Sequence, residues 1–452
     1  MNSNRFDEEQ PFSIKKAPLS TFEPGLSPDK ESAEVQSDEF VNIDYVPAFQ
    51  VFPATNESQV VYVLLKVLIG KDRRTAQRTP LNLALVLDQS SSMRGEKLYA
   101  LKAAARRLID ELTPNDYFSL VSFNDRATTV VSCQKVTSKE TIKQHIDSIE
   151  AKGGTELANG LYAGINEMKP ATGNTSLNYL LLFTDGQTYG DADRCVQLGQ
   201  EAARQKIAIH TMGVGIDWNE DLLESVAAQC GGNTEYITSA DKILSTFLKK
   251  IKTLRNTITP VSNLGIEPSP QVQLKQIYRI TPTISELVPK ALPDGANEYN
   301  LGPLTTHTKY TLLMELVILK SQPGILPVGN VRLAFTPAGT RKSTTQIQMA
   351  LGLSFSENTG GITIDPDVKT LIEKVTAFKL QARAWQDITN GDIKSGTQRL
   401  SAVSTRLLNM GEVELANQVQ LEIQNLEQRG APSSGGRKRI KYGTRGLGSE
   451  FE

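Results

Sequence analysis

Leu83-Ala84-Leu85-Val86-Leu87-Asp88-Gln89-Ser90-Ser91-Ser92-Met93 decides how this chain is read. Five apolar residues without a break are what a strand buried on both faces requires, since each of its sides meets helices rather than water. The run stops at an aspartate and three serines, so polarity begins where the strand ends. A helix follows at once, with Leu98, Leu101, Ala105, Leu108, Ile109 and Leu112 at helical spacing. Outward from this point strands and helices keep alternating. Strands are expected at 117–123, 179–183, 207–212 and 235–237, and helices at 156–168, 193–205, 220–229 and 240–254. Thr137-Ser138-Lys139-Glu140 has capping-box spacing ahead of a stripe of Ile142, Ile146 and Ile149. Alternation of this kind predicts an α/β fold over 80–255: a Rossmann-like, doubly wound, mostly parallel sheet.

Three polar segments punctuate this unit. The first is Asp88-Gln89-Ser90-Ser91-Ser92, the second Gly153-Gly154-Thr155, the third Thr184-Asp185-Gly186-Gln187. The first and third stand where apolar strands run out, at the carboxyl edge where open α/β sheets bind ligands. Together they offer the carboxylates of Asp88 and Asp185 and the hydroxyls of Ser90, Ser92 and Thr155. An oxygen-only set suits a hard divalent cation, because Mg²⁺ takes about six oxygens and prefers few carboxylates plus waters. Gly153, Gly154 and Gly186 allow close backbone approach. Where protein oxygens leave the shell incomplete, an acidic side chain from a partner can complete it. Gly154, Gln187 and Thr188 are the candidate rim of the site, with Tyr189 beside them.

Asp88-x-Ser90-x-Ser92, then Thr155 after two glycines, then Asp185-Gly186, resemble the metal-ion-dependent adhesion site of von Willebrand factor type A domains. The resemblance covers 80–255, with all five metal-binding positions present; Ser91 departs from the glycine that the family very often has there. It implies Mg²⁺ or Mn²⁺ at the top of the sheet. Asp88, Ser90 and Ser92 would supply the first loop's contacts, Thr155 would bind directly or through water, and Asp185 through water. The function implied is a non-enzymatic scaffold or adaptor that binds another protein presenting Asp or Glu to the metal.

The alternatives weighed on the residues are a non-metal scaffold, in which the five residues are only turn and cap groups, and a metal-assisted phosphohydrolase with Asp88 as nucleophile. Such chemistry needs a second carboxylate close by as acid and base. Ser90 stands two residues after Asp88 and cannot do that work, and two-metal hydrolysis needs more carboxylates than Asp88 and Asp185 supply. No GxSxG, P-loop, HExxH or GxGxxG signature occurs.

Beyond the α/β unit the texture changes. Residues 1–40 read as a disordered acidic tail, with nine acids against four bases. Residues 41–75 hold β-rich runs, and 260–357 read as strands between Gly/Pro-rich turns, at 272–280, 310–319, 331–335 and 345–355. A 30-residue β segment is too small for a stable sheet alone, so the two stretches are expected to share one β-sandwich interrupted by the α/β unit. Asp365-Pro366 opens a helical region over 365–430, which Gly391, Gly411 and Gly430 divide into three helices. Its flanking sheets and helices resemble the layout of intracellular bacterial and inter-α-trypsin-inhibitor-like members of the family. The segment 431–452 reads as a disordered basic tail.

Composition narrows the function classes. Forty-nine Lys and Arg balance fifty Asp and Glu across 452 residues, a net charge of −1, so no nucleic-acid partner is expected. Three cysteines and three histidines exclude a disulfide framework and a His-rich metal site. The apolar run 60–69 is about half a membrane span and contains Lys66, so no membrane span is expected. A reduced, cytoplasmic protein is the resulting expectation. Acidic residues near both ends, including Glu450 and Glu452, are candidate internal ligands for the metal, in the same chain or by self-association.

Overall fold

The computed structural model describes residues 41–449, except 71–78, 174–176, 189, 292–296, 307–308, 339–343, 359, 361 and 434. The acidic segment 1–40, Tyr189 and the terminal glutamates lie outside the described residues.

The chain opens with β1 (Val41–Pro47), the two-residue β2 (Phe52–Pro53) and β3 (Gln59–Ile69). It then builds the α/β unit. In order these elements are β4 (Leu81–Asp88), α1 (Glu96–Glu111), β5 (Tyr117–Phe123), β6 (Ala127–Lys135), α2 (Lys139–Asp147) and α3 (Leu157–Met168). They continue with β7 (Leu177–Thr184), α4 (Ala192–Arg204), β8 (Ala208–Val214), α5 (Glu220–Gln229), β9 (Thr234–Ile237) and α6 (Ile243–Arg255).

The sheet runs β6-β5-β4-β7-β8-β9, with β4 central. Leu83, Leu85 and Leu87 of β4 face the core shared with α1, α2 and α6, while Ala84 and Val86 face α3, α4 and α5. Both sides of the strand are thus apolar, which is why its sequence shows no alternation. The sheet is Rossmann-like and mixed: β6 pairs antiparallel with β5, and the other pairs are parallel. The strand at β6 is absent from the sequence reading because Thr128, Thr129 and other residues of this edge face water, leaving a weak apolar pattern. At α2, Ser138 is the N-cap and its side chain makes no capping bond, so the capping-box spacing is not used.

The rest of the chain adds β10 (Thr257–Pro268), β11 (Val272–Arg279), β12 (Ser285–Leu287), β13 (Pro289–Ala291), β14 (Asn297–Thr305), β15 (Tyr310–Ile318), β16 (Gly324–Phe335) and β17 (Thr345–Ser356). One sheet has the order β1-β3-β15-β11-β12 and the other β13-β14-β10-β16-β17-β2. β3 pairs antiparallel with β15, placing Val63 opposite Met314 and Leu65 opposite Leu312. Val63, Leu65 and Val67 join Leu264, Val331 and Leu333 of the second sheet in one apolar cluster.

Leu64 and Leu313 point to the opposite face of the first sheet, where four helices pack. These are α7 (Pro366–Thr389), α8 (Ile393–Asn409), α9 (Val413–Arg429) and α10 (Gly436–Gly446). The cap expected at Asp365 is formed: its Oδ1 accepts from the Asp367 and Val368 amides, each at 3.0 Å. Trp385 belongs to the same helical core, as its place on the apolar seam of α7 indicates.

The segment 431–452, expected to be a disordered basic tail, is corrected by α10. Its charges have partners more than 200 residues away on α5. Arg437 pairs with Glu220 (3.2 Å) and Asp221 (3.1 Å), Lys441 with Glu224 (2.9 Å), and Arg445 with Glu224 (2.6 Å). Lys438 lies over the Trp218 ring, and its ammonium donates to the Ile216 and Trp218 carbonyls. Tyr442 stacks against Trp218 and Tyr236. A run of basic residues reads as solvated only while its acidic partners are unknown.

Candidate metal centre

β4 and β7 lie side by side, so Asp88 at the end of β4 and Asp185 just beyond β7 come to the same carboxyl edge. Both are buried, Asp88 at 0% and Asp185 at 1% exposure. Each Asp88 oxygen has a donor. The Ser90 amide reaches Oδ1 at 2.7 Å and the Thr184 hydroxyl reaches Oδ2 at 2.6 Å. Asp185 is held from the α1 side: the Ser92 hydroxyl donates to Oδ1 at 2.7 Å, and the Lys97 ammonium pairs with Oδ2. Ser92 gives its one proton to Asp185, so the Ser90 hydroxyl, 3.0 Å away, donates to Ser92. The result is a directed chain from Ser90 through Ser92 to Asp185.

The second loop is tied to the first. The Ser91 amide and hydroxyl both donate to the Gly153 carbonyl at 3.0 Å, and the Lys152 amide donates to the Gln89 carbonyl at 2.7 Å. Ser91 has no positive φ, so serine replaces the family's usual glycine without backbone strain. Thr155 approaches the third loop: a Cβ added at Gly186 would lie 3.2 Å from the Thr155 hydroxyl oxygen and 3.9 Å from that of Ser92. Gly186, on the third loop, therefore leaves a hollow edged by the Thr155 and Ser92 side chains of the other two.

Among the rim candidates, the Gly154 amide donates to both Asp125 carboxylate oxygens at 3.1 Å. Gln187 is exposed. The Thr188 hydroxyl accepts from the Leu157 amide at 3.2 Å and donates to Asp191. Thr188 thus fastens the third loop to the start of α3 rather than offering a free hydroxyl. Asp125, Asp191 and Lys97 are parts of the site that the sequence reading missed, and Thr184, quoted there in the third segment, was given no role. Thr184 was signalled by its position just before Asp185. Lys97 lies 88 residues from its partner, and no local pattern announces it.

The residues fit a divalent cation by their chemistry. Asp88, Ser90, Ser92, Thr155 and Asp185 are all oxygen donors, with no nitrogen or sulfur ligand among them, the preference of Mg²⁺ and Mn²⁺. Burial, aided by the neighbouring charge of Asp185, pushes the Asp88 carboxyl above its ordinary value despite the Thr184 and Ser90 hydrogen bonds. A buried carboxylate whose charge is disfavoured in this way, with a second carboxylate beside it, is what a cation compensates. His145 and His210 take no part. His210 is buried against Asn233, and burial, with the nearby Lys250 charge, holds it well below its ordinary value. Among the described residues no group of three or more His, Cys, Asp or Glu side chains gathers to hold a metal, here or elsewhere; the candidate site has two carboxylates and draws its other oxygens from hydroxyls. No helix among them is long and apolar enough to cross a membrane.

Residues 82–250 match the von Willebrand factor type A domain family, and residues 366–450 match the Sll0103-like C-terminal alpha-helical domain. The Synechocystis sp. protein named "Uncharacterized protein sll0103" is 35% identical over 264 residues, 57% of this chain and 62% of its own length. Bovine inter-alpha-trypsin inhibitor heavy chain H4 is 29% identical over 164 residues, 34% of this chain and 18% of its own. The match thus spans less than two thirds of either relative. The solved von Willebrand factor type A protein of Catenulispora acidiphila superposes with a TM-score of 0.71 at 15% identity, covering 91% of this chain and 98% of that one. The ArnB paralog VWA2 of Sulfolobus acidocaldarius gives 0.50 at 14% identity over 91% and 99%. The α/β unit has the von Willebrand factor type A fold, and residues 366–450 match a helical domain of the Sll0103-like type.

Proposed function

We propose that this protein binds another protein through a divalent cation, Mg²⁺ or Mn²⁺, held by Asp88, Ser90, Ser92 and Thr155, with Asp185 behind them. A partner's Asp or Glu completes the metal's coordination, and the chain serves as a non-enzymatic scaffold or adaptor. The observation that carries this reading is the approach of the Ser92 and Thr155 hydroxyls, from two separate loops, to Gly186 on the third, beside the hydrogen-bonded chain from Ser90 through Ser92 to Asp185. Type A domains are in general protein-interaction modules, which supports the same reading.

Hydrolysis by Asp88 fits the site less well. Its carboxylate is buried and both oxygens already accept hydrogen bonds, and no second carboxylate is hydrogen-bonded to it to serve as acid and base. A cation, by contrast, shares a carboxylate's remaining lone pairs without displacing those donors.

The test is affinity capture from lysate on the full chain, with Mg²⁺ or with chelator, in wild type and Asp88→Ala. Partners retained only by wild type with Mg²⁺ support the reading. Partners that survive both chelator and the substitution contradict it.

A further inference from the structure

We propose that Lys97 is a resident counter-ion that competes with the divalent cation for Asp185; the inference rests on the metal-binding reading above. Lys97 sits in the first turn of α1, on the same short segment that carries Ser90 and Ser92. Its ammonium pairs with Asp185 Oδ2 while Ser92 holds Oδ1, so both oxygens of this buried carboxylate are engaged from one side. The Asp185 side chain is fully shielded from water and that of Lys97 only partly exposed, at 32%. A charge so enclosed requires a cation nearby. Lys97 supplies it.

A divalent ion placed among Ser90, Ser92 and Asp88 brings two positive charges beside that ammonium. With Lys97 only partly exposed, repulsion between them is weakly screened by water. Metal binding must therefore drive the ammonium off Asp185, and the affinity is lowered by whatever that ion pair is worth. The displaced side chain has room. Arg94, Glu96 and Lys97 line a cavity of about 390 Å³ together with Gly215, Thr238 and Ser239, so a carboxylate and two hydroxyl-bearing residues are among its walls. Lys97 thus sets a threshold: the site fills only when the cation concentration exceeds what the lysine holds off.

The experiment is calorimetric titration of Mn²⁺ into the full chain as wild type, Lys97→Met, Lys97→Arg and Asp88→Ala. Removing the charge in Lys97→Met should tighten Mn²⁺ by about tenfold or more, the low end of like-charge repulsion at contact range. Lys97→Arg keeps the charge and should stay near wild type. A second readout does not depend on a substitution folding well. In wild type, Mn²⁺ should raise the rate at which an amine-reactive label modifies Lys97, and chelator should reverse it. Equal or weaker Mn²⁺ affinity in Lys97→Met, or labelling unchanged by Mn²⁺, overturns the competition. If wild type binds and Asp88→Ala does not, such a failure touches Lys97 alone. Absence of binding in wild type sinks the metal-binding reading itself.

Discussion

Ser91 and Gly153 are joined twice: the backbone amide and the side-chain hydroxyl of Ser91 both donate to the Gly153 carbonyl at 3.0 Å. This pairing fixes the distance between the loop of Asp88 and the loop of Thr155. Ser91→Ala removes the hydroxyl bond and leaves the amide bond. The expected cost is about 1 kcal/mol of stability, together with a few-fold loss of metal affinity as the loops loosen. Urea denaturation and Mn²⁺ titration of the same sample measure both; affinity that stays at the wild-type value would show that the second loop is positioned by other means.

Gly186→Val tests the hollow directly. Even a single added carbon lies 3.2 Å from the Thr155 hydroxyl, and the branches of valine fill the remaining space. Metal affinity should fall by about tenfold or more, the equivalent of about 1.4 kcal/mol. The midpoint of thermal unfolding should move little, since the position stands at the edge of the sheet. Full metal affinity in this variant would place the cation elsewhere.

The α/β alternation and the metal-site motif were legible because both are local. Leu83 to Leu87 show a doubly buried strand by their lack of polarity, and Asp88, Ser90 and Ser92 occupy one turn. What lay hidden depends on partners distant in sequence. Lys97 meets Asp185 and Arg445 meets Glu224 only after folding. Several β elements were also hidden. β10 contains Pro260 and Pro268 and has register shifts against β14, so its alternation is broken, while β6 is too exposed to show an apolar face.

Glu224 carries much of the contact between α10 and α5. Burial alone would raise its carboxyl, but the Arg445 and Lys441 charges and the Lys441 and Tyr442 hydrogen bonds more than offset this and hold it below its ordinary value. A depressed carboxyl stabilises the fold fully above its unfolded value and loses that contribution as pH falls through the folded one. Wild-type stability should therefore decline below pH 4.5. Glu224→Gln should cost about 1–3 kcal/mol at neutral pH and decline less steeply in acid. Urea midpoints collected across this range decide it, and parallel curves for the two proteins would remove Glu224 from the account.

Leu65 lies in β3 between β1 and β15, fully buried in the core that the two sheets share. Leu65→Ala should cost about 2–5 kcal/mol, the usual range for such a cavity. A loss under about 1 kcal/mol in chemical denaturation would mean that 41–69 contributes little to that core.

The central claim is a cation held by Asp88 at the carboxyl edge of the sheet. Calorimetric titration of Mg²⁺ into the purified full chain and its Asp88→Ala variant tests it most directly. The substitution removes a carboxylate whose charge is disfavoured by burial and by Asp185, so the variant should keep its cooperative unfolding transition. The account predicts binding of one ion per chain in wild type and none in the variant. Equal heats in the two proteins, or no binding in wild type, would contradict it.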